Sequence, residues 1–232
     1  DLDTSRGLGD VYKRQVLSGV LFHGLYLGGV FYSISIGMPT SIAALIVTLQ
    51  PILTNILSGP ILNEKVTLKQ WIGVLLGFLG ATLVLGLDLG SKIPLLGLVA
   101  TLIALISITA STIWQKKLSN NLPLSVSNFY QAVGGCFFHI LVVIFFAKPY
   151  IAFTKTFLLS MGHQIFLVSF GAFTILMFLI KKNSASKTVS IFFLIPATSA
   201  LMAWFFLKES LTAIDLLGFL ITAIGVYIAT RD

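Results

Sequence analysis

PTSIAALIVTLQPILTNILSGPILNEKVTLKQWIGVLLGFLGATLVL, residues 39–85, returns 145 positions later as SASKTVSIFFLIPATSALMAWFFLKESLTAIDLLGFLITAIGVYIA, residues 184–229. Without a gap, Pro51 falls on Pro196, Glu64 on Glu209, Gly73 on Gly218 and Gly80 on Gly225. Ser41, Ile46, Leu49, Leu62, Thr67 and Leu75 also recur, at Ser186, Ile191, Leu194, Leu207, Thr212 and Leu220. Shared hydrophobicity does not explain this register, because Pro, Glu and Gly are the rarer matches. Each copy reads as an apolar span with a central Pro, a Glu at its end, then a glycine-bearing span. Thr67 with Gln70, and Thr212 with Asp215, have the spacing of helix N-caps for that second span.

Working outward, the apolar runs continue on both sides. Of 232 residues, 56% are hydrophobic and 10% charged, with a mean hydropathy of +0.99. A water-facing surface needs about 25% charged residues, so most of this chain faces something else. Runs of about 20 apolar residues can span a hydrocarbon core of about 30 Å. They are continuous rather than alternating, so helices rather than a barrel satisfy the backbone there. Eight spans are expected, near 16–36, 41–62, 70–87, 94–115, 124–147, 163–180, 188–207 and 212–230. The fold class is therefore an all-α integral membrane protein in the lipid bilayer.

The net charge of +7 does not point to nucleic acid, since the cations stand singly or in pairs between spans. They set orientation instead. Lys65, Lys69, Lys116, Lys117, Lys181, Lys182, Lys187 and Arg231 share one side, against Lys92, Lys148, Lys155 and Lys208 on the other. The positive-inside rule makes the first side cytoplasmic, C-terminus included, in a multi-pass protein of the cell membrane. Residues 1–15, DLDTSRGLGDVYKRQ, are polar and begin without Met. They are expected to be a non-native or loop segment outside the fold. Cys136, the single cysteine, cannot pair internally.

The repeat offset crosses five spans, an odd number, so the two copies should insert with opposite orientation, as in many secondary transporters. Residues 16–90 then hold the last three helices of a first repeat and 94–232 a complete second repeat. By that arithmetic two helices of a ten-helix bundle precede residue 1.

The proline–glutamate–glycine pattern at Pro51, Glu64, Gly73, Gly80 and Pro196, Glu209, Gly218, Gly225 resembles the EamA-like branch of the drug/metabolite transporter superfamily. The tyrosine-bearing helix ending LGGVFYSISIGMP is similar to that family's third helix. The resemblance implies a helical bundle of two inverted-topology repeats, eight of ten helices being present, with a central path for a small solute.

Polar residues in a membrane tend to face a bundle interior or an aqueous path. Asn128, Gln131, Gly135 and His139 follow one helical face, as do Gly19, His23, Tyr26 and Ser33, and Ala100, Ala104, Ser107, Ser111 and Trp114. Either these faces line the path or they are packing seams of small and hydroxyl residues. Pro51 and Pro196 leave the carbonyls of Val47 and Phe192 without an intrahelical N–H. Thr48 and Asn55 share the face of Pro51, and Ser199 lies beside Pro196. The expected path residues are thus His23, Tyr26, Tyr32, Ser33, Thr48, Asn55, Ser107, Ser111, Trp114, Asn128, Gln131, His139 and Ser199. Glu64 and Glu209 are expected to act as interfacial caps or ion-pair partners.

No Asp or Glu is expected deep in a span, which suits a neutral or zwitterionic solute such as an amino acid or amine. Facilitated diffusion or exchange stays open, as does a lipid-linked or amphiphilic cargo. Three His in separate segments and no paired carboxylates offer no motif for a metal, a cofactor or an intramembrane enzyme. Gly24-xxx-Gly28 and Gly73-xxx-Gly77 permit close helix approach and leave a homodimer open.

Overall fold

A computed structural model of the chain describes residues 2–86, 92–118, 122–146, 150–208 and 210–231. Eight helices in it are long and apolar enough to cross a membrane. They are α1 (Gly9–Ser35), α2 (Thr40–Leu62), α3 (Leu68–Leu85), α4 (Leu95–Leu118), α5 (Leu124–Phe146), α6 (Lys155–Lys182), α7 (Ala185–Phe206) and α8 (Ala213–Thr230). Among the described residues there is no strand. Large apolar side chains such as Phe31, Phe137, Phe166 and Leu220 lie exposed on the outside, which suits hydrocarbon and not water. Lys148 and Glu209 lie outside the described residues.

The repeat is visible in the packing. Thr67 and Thr212 each form a reciprocal cap, with Gln70 and Asp215 respectively, and so start α3 and α8 identically. These two helices then run antiparallel against each other along their glycines. A Cβ at Gly73 would stand 2.5 Å from the Gly225 carbonyl oxygen, and one at Gly80 would stand 2.6 Å from that of Gly218. Each of these contacts is the image of the other under the repeat register, so the copies are related by inversion. Val74, Ala81, Phe193, Val226 and Ala229 close the core beside this seam. The chain is an all-α membrane bundle of two inverted repeats.

α2 and α7 are interrupted at matching places. α2 is helical over Thr40–Val47 and again over Gln50–Leu62, with a turn at Thr48–Leu49 between. α7 is helical over Ala185–Ser190 and Leu194–Met202, joined by a tighter 3₁₀ turn at Ile191–Phe193. Pro51 and Pro196 account for both, since neither has an N–H to continue the ladder. Past the break each helix ends in the same way. Asn63 (φ 56°) and its repeat partner Lys208 (φ 60°) both adopt the left-handed conformation.

One expectation is corrected. The first helix does not begin near residue 16 but extends back to Leu2. Gln15 is buried, with its amide bonded to Ser127 and Gln131 of α5, and the Tyr12 ring stacks on Tyr130 at 4.4 Å. Polar residues continue this helix because their partners are polar residues of α5, more than 100 positions away.

Candidate functional site

The two broken helices face each other across a cavity of about 970 Å³. α1 contributes Phe22, His23, Tyr26, Val30 and Ile34 to its wall; α6 contributes Gln164, Ser169, Phe173 and Leu176. α2 supplies Val47, Thr48 and Pro51, and α7 supplies Phe192, Pro196 and Ser199. The two residues whose carbonyls the prolines deprive of the regular helical donor, Val47 and Phe192, are both at the wall, but the Phe192 carbonyl accepts a backbone N–H in the 3₁₀ turn instead. Thr48 turns its hydroxyl back onto the Ala44 carbonyl at 2.7 Å, which leaves its oxygen lone pairs to accept. Gln50 donates to Thr112 at 3.0 Å and ties the break in α2 to α4. His23 and Tyr26 sit on a wider π-helical stretch, Val20–Leu27, a feature frequent at functional sites. Among the described wall residues none is Asp, Glu, Lys or Arg.

The cavity reaches from the prolines toward one end of the bundle, where Ile34, Thr40, Ser41, Leu85 and Ala203 form its margin. At the opposite end, where Lys65, Lys116, Lys182 and Lys187 lie, polar bonds join the repeats. The Ser58 and Ser186 hydroxyls are 2.9 Å apart. Glu64 accepts from the backbone N–H groups of Ala185 (2.8 Å) and Ser186 (3.5 Å). A carboxylate there completes the orphan donors of a helix start and meets the positive end of its dipole. Of the two roles expected for Glu64, the structure has the cap, and the helix it caps belongs to the other repeat.

The cavity brings together four of the expected path residues, His23, Tyr26, Thr48 and Ser199, with Pro51 and Pro196. The other nine lie elsewhere. Gln131 is fully buried in an amide network, donating to Gln15 at 2.8 Å and accepting from Gln115 at 3.0 Å. The void beside this network is only about 10 Å³, too small for a solute. Ser111 bonds Ser18 at 3.2 Å, and Ser107 is buried on the same helix. Asn128 donates to Thr174 and to the Ser169 carbonyl, behind the cavity wall. His139 sits on an exposed face, with Nε2 2.9 Å from the His23 carbonyl. Ser33 bonds back to Val30 at 2.8 Å, Tyr32 is exposed, and the Trp114 indole donates to the Arg14 carbonyl. Asn55 is buried in the closed end. Periodicity identified an inner face on each helix, but most of those faces are seams between helices.

The family model described as the EamA-like transporter family matches residues 5–86 and 95–231. The chain belongs to the EamA-like transporter family. Each matched segment holds one copy of the proline–glutamate–glycine pattern. The chain is 27% identical over 222 residues to "Uncharacterized transporter YvbV" of Bacillus subtilis (strain 168), covering 91% of this chain and 68% of that protein. It is 24% identical over 217 residues to a "Probable amino-acid metabolite efflux pump" of Escherichia coli (strain K12), covering 85% of this chain and 70% of that one. A solved structure titled only "Crystal structure of protein" superposes with a TM-score of 0.76 at 14% identity, over 95% of this chain and 86% of that chain. That likeness is one of fold. This EamA-like chain also places at its cavity residues that sequence reasoning passed over, notably Phe22, Gln50, Gln164 and Phe173. Gln50 and Gln164, each a lone amide in an apolar run, had a visible signal. The phenylalanines had none, because the chain has 19 of them.

Proposed function

We propose that this transporter carries a small neutral or zwitterionic solute, of the amino-acid or amine class, by alternating access between its two inverted repeats. The observation that carries this is the cavity of about 970 Å³ between the two proline-broken helices, walled without a fixed charge. Interrupted membrane helices offer carbonyls and half-helix ends to a solute near the midplane. Here the Val47 carbonyl, with the Thr48 and Ser199 hydroxyls, would take the polar groups of a solute. Phe22, Tyr26 and Phe173 would take its apolar body. A polyanion would find no cation in such a wall, and a strong cation would find no carboxylate. That two relatives bear the name "Probable amino-acid metabolite efflux pump" supports the same class. The lysine-rich end is the cytoplasmic one by the positive-inside rule, which places the cavity mouth outside and the C-terminus inside. The protein acts as a carrier in the cell membrane and not as an enzyme.

The apolar rim of the cavity, with Leu27, Val30, Ile34 and Val168, favours a second reading, an amphiphilic or lipid-linked cargo. Radiolabelled counterflow in proteoliposomes separates the two. Accumulation of one class of amino acid or amine, reduced by Thr48→Val or Ser199→Ala, supports the proposal. Counterflow only with an amphiphile, unaffected by water-soluble competitors, would replace it with the second reading.

A further inference from the structure

The repeat register makes the closed end of the molecule comparable, residue by residue, with the open one. Ser58 and Ser186, 2.9 Å apart at the closed end, are the repeat partners of Ala203 and Ser41, which both line the cavity margin. Thr54 and Asn55, 0% and 3% exposed, are the partners of Ser199 and Ala200, and both of these line the cavity. Val189, fully buried, is the partner of Ala44, again at the wall. Five positions that are buried at one end thus have five partners facing the cavity at the other.

The buried set also carries an unusual burden. The Thr54 hydroxyl and both polar atoms of the Asn55 side chain are buried without a hydrogen-bond partner among the described residues. Buried polar groups are normally satisfied, and an unpaired amide in an apolar surround is costly. An amide kept on this face in an apolar helix has a use if the face becomes wet in another conformation.

We propose that Thr54, Asn55, Ser58, Ser186 and Val189 form the second half of the solute path, and that the bonds of Ser58 and Glu64 to the start of α7 are the latch holding it shut. Resting on the transport reading above, this adds the residues that meet the solute on the lysine-rich side. When the repeats exchange conformations, α7 moves away from Ser58 and Glu64, water reaches Asn55, and its amide meets the same polar groups that Ser199 met before. Asn55 is the polar member that its partner Ala200 lacks. The path is therefore more polar on the lysine-rich side than on the other.

The test uses the full chain in proteoliposomes, with the exposed Cys136 replaced by Ser. In a Ser58→Cys/Ser186→Cys variant, oxidation should abolish counterflow and reduction should restore it. Full cross-linking with undiminished counterflow overturns the proposal. Separately, a single Asn55→Cys variant should react slowly with a membrane-impermeant maleimide applied from the lysine-rich side. Adding Glu64→Ala removes a charge-assisted cap and should speed that reaction about tenfold, while the oxidised Ser58→Cys/Ser186→Cys pair should suppress it. Labelling at position 55 that is indifferent to both changes also overturns it. The labelling needs no cargo, so a protein without counterflow for any solute would defeat the transport reading while these arms still decide the gate.

Discussion

Two pairs of repeat-related helices, α3 with α8 and α2 with α7, treat the same symmetry in opposite ways. Between α3 and α8 both images of the glycine contact are made, Gly73 on Gly225 and Gly80 on Gly218. Between α2 and α7 only one image is made: Ser58 meets Ser186, whereas Ser41 and Ala203 stand at the cavity. A seam that is its own image can persist when the repeats exchange shapes. A seam present at one end only has to break for the other to form. Under the proposed alternating access, the first pair is the fixed axis and the second the moving part. Their side chains suit that proposal: close backbone contact through glycine between α3 and α8, and a few hydroxyl and carboxylate hydrogen bonds from Ser58 and Glu64 to the start of α7.

The most severe way to break the comparison is to push the axis apart. Gly73→Ala combined with Gly225→Ala puts two methyl groups against backbone atoms, which cannot move aside as a flexible side chain can. Overpacking of this kind should cost about 3 kcal/mol or more, seen as loss of a monodisperse folded peak and a large drop in Tm in detergent. If the double variant keeps both its Tm and its counterflow, the axis is not rigid.

Next in size is the polar network that ties α1 to α5. Gln131→Leu removes the donor to the Gln15 carbonyl oxygen and one of the two acceptors of the Gln115 amide, which keeps Ser111, and should cost about 1–3 kcal/mol. The comparison is sharpened by what stays the same: since Gln131 is not at the cavity wall, the apparent affinity for solute should hold while Tm falls. A selective loss of affinity would return Gln131 to the path.

A smaller structural effect, with a clearer functional one, is expected at the break in α2. Pro51→Ala restores an N–H for the Val47 carbonyl, worth about 1 kcal/mol of local hydrogen bonding. Stability should change little or rise, while counterflow falls as the carbonyl is withdrawn from the cavity. Unchanged counterflow would mean that the break only shapes the helix.

The smallest effect belongs to the symmetric ends of α2 and α7. Lys208 holds the left-handed conformation that Asn63 holds at the equivalent place, and a lysine there is strained by roughly 1 kcal/mol. Lys208→Gly should raise stability by a fraction of that and leave transport unchanged. A fall in stability would show that the lysine side chain contributes more than its backbone costs.

These residues also show how far the chain could be read in advance. The eight spans, the inverted repeat and both Thr caps follow from hydropathy and local spacing, which act within a helix or between identical motifs; the glycines showed that a close approach was possible, but not that α3 meets α8 there. Asn128, Gln131, Ser107 and Ser111 were legible as inward faces, with path and packing seam both left open. Their partners, Ser169 and Thr174, Gln15 and Gln115, Ser18, come from other helices, and no spacing records which helix is opposite. Gln15 was hidden altogether, because a polar stretch without apolar periodicity looks like a loop until Ser127 and Gln131 are beside it.

Sequence alone determined the membrane environment, the helix count and the twofold relation between halves, because lipid forces every backbone group into a local helix and the repeat copies the pattern. Only the tertiary structure decided which copy of each polar pair is open and which is closed. The 145-residue register makes Ser58–Ser186 and Ala203–Ser41 formally equivalent, and two equivalent joints cannot both be shut while a path between them stays open at one end. That choice lies in the packing of α2 against α7.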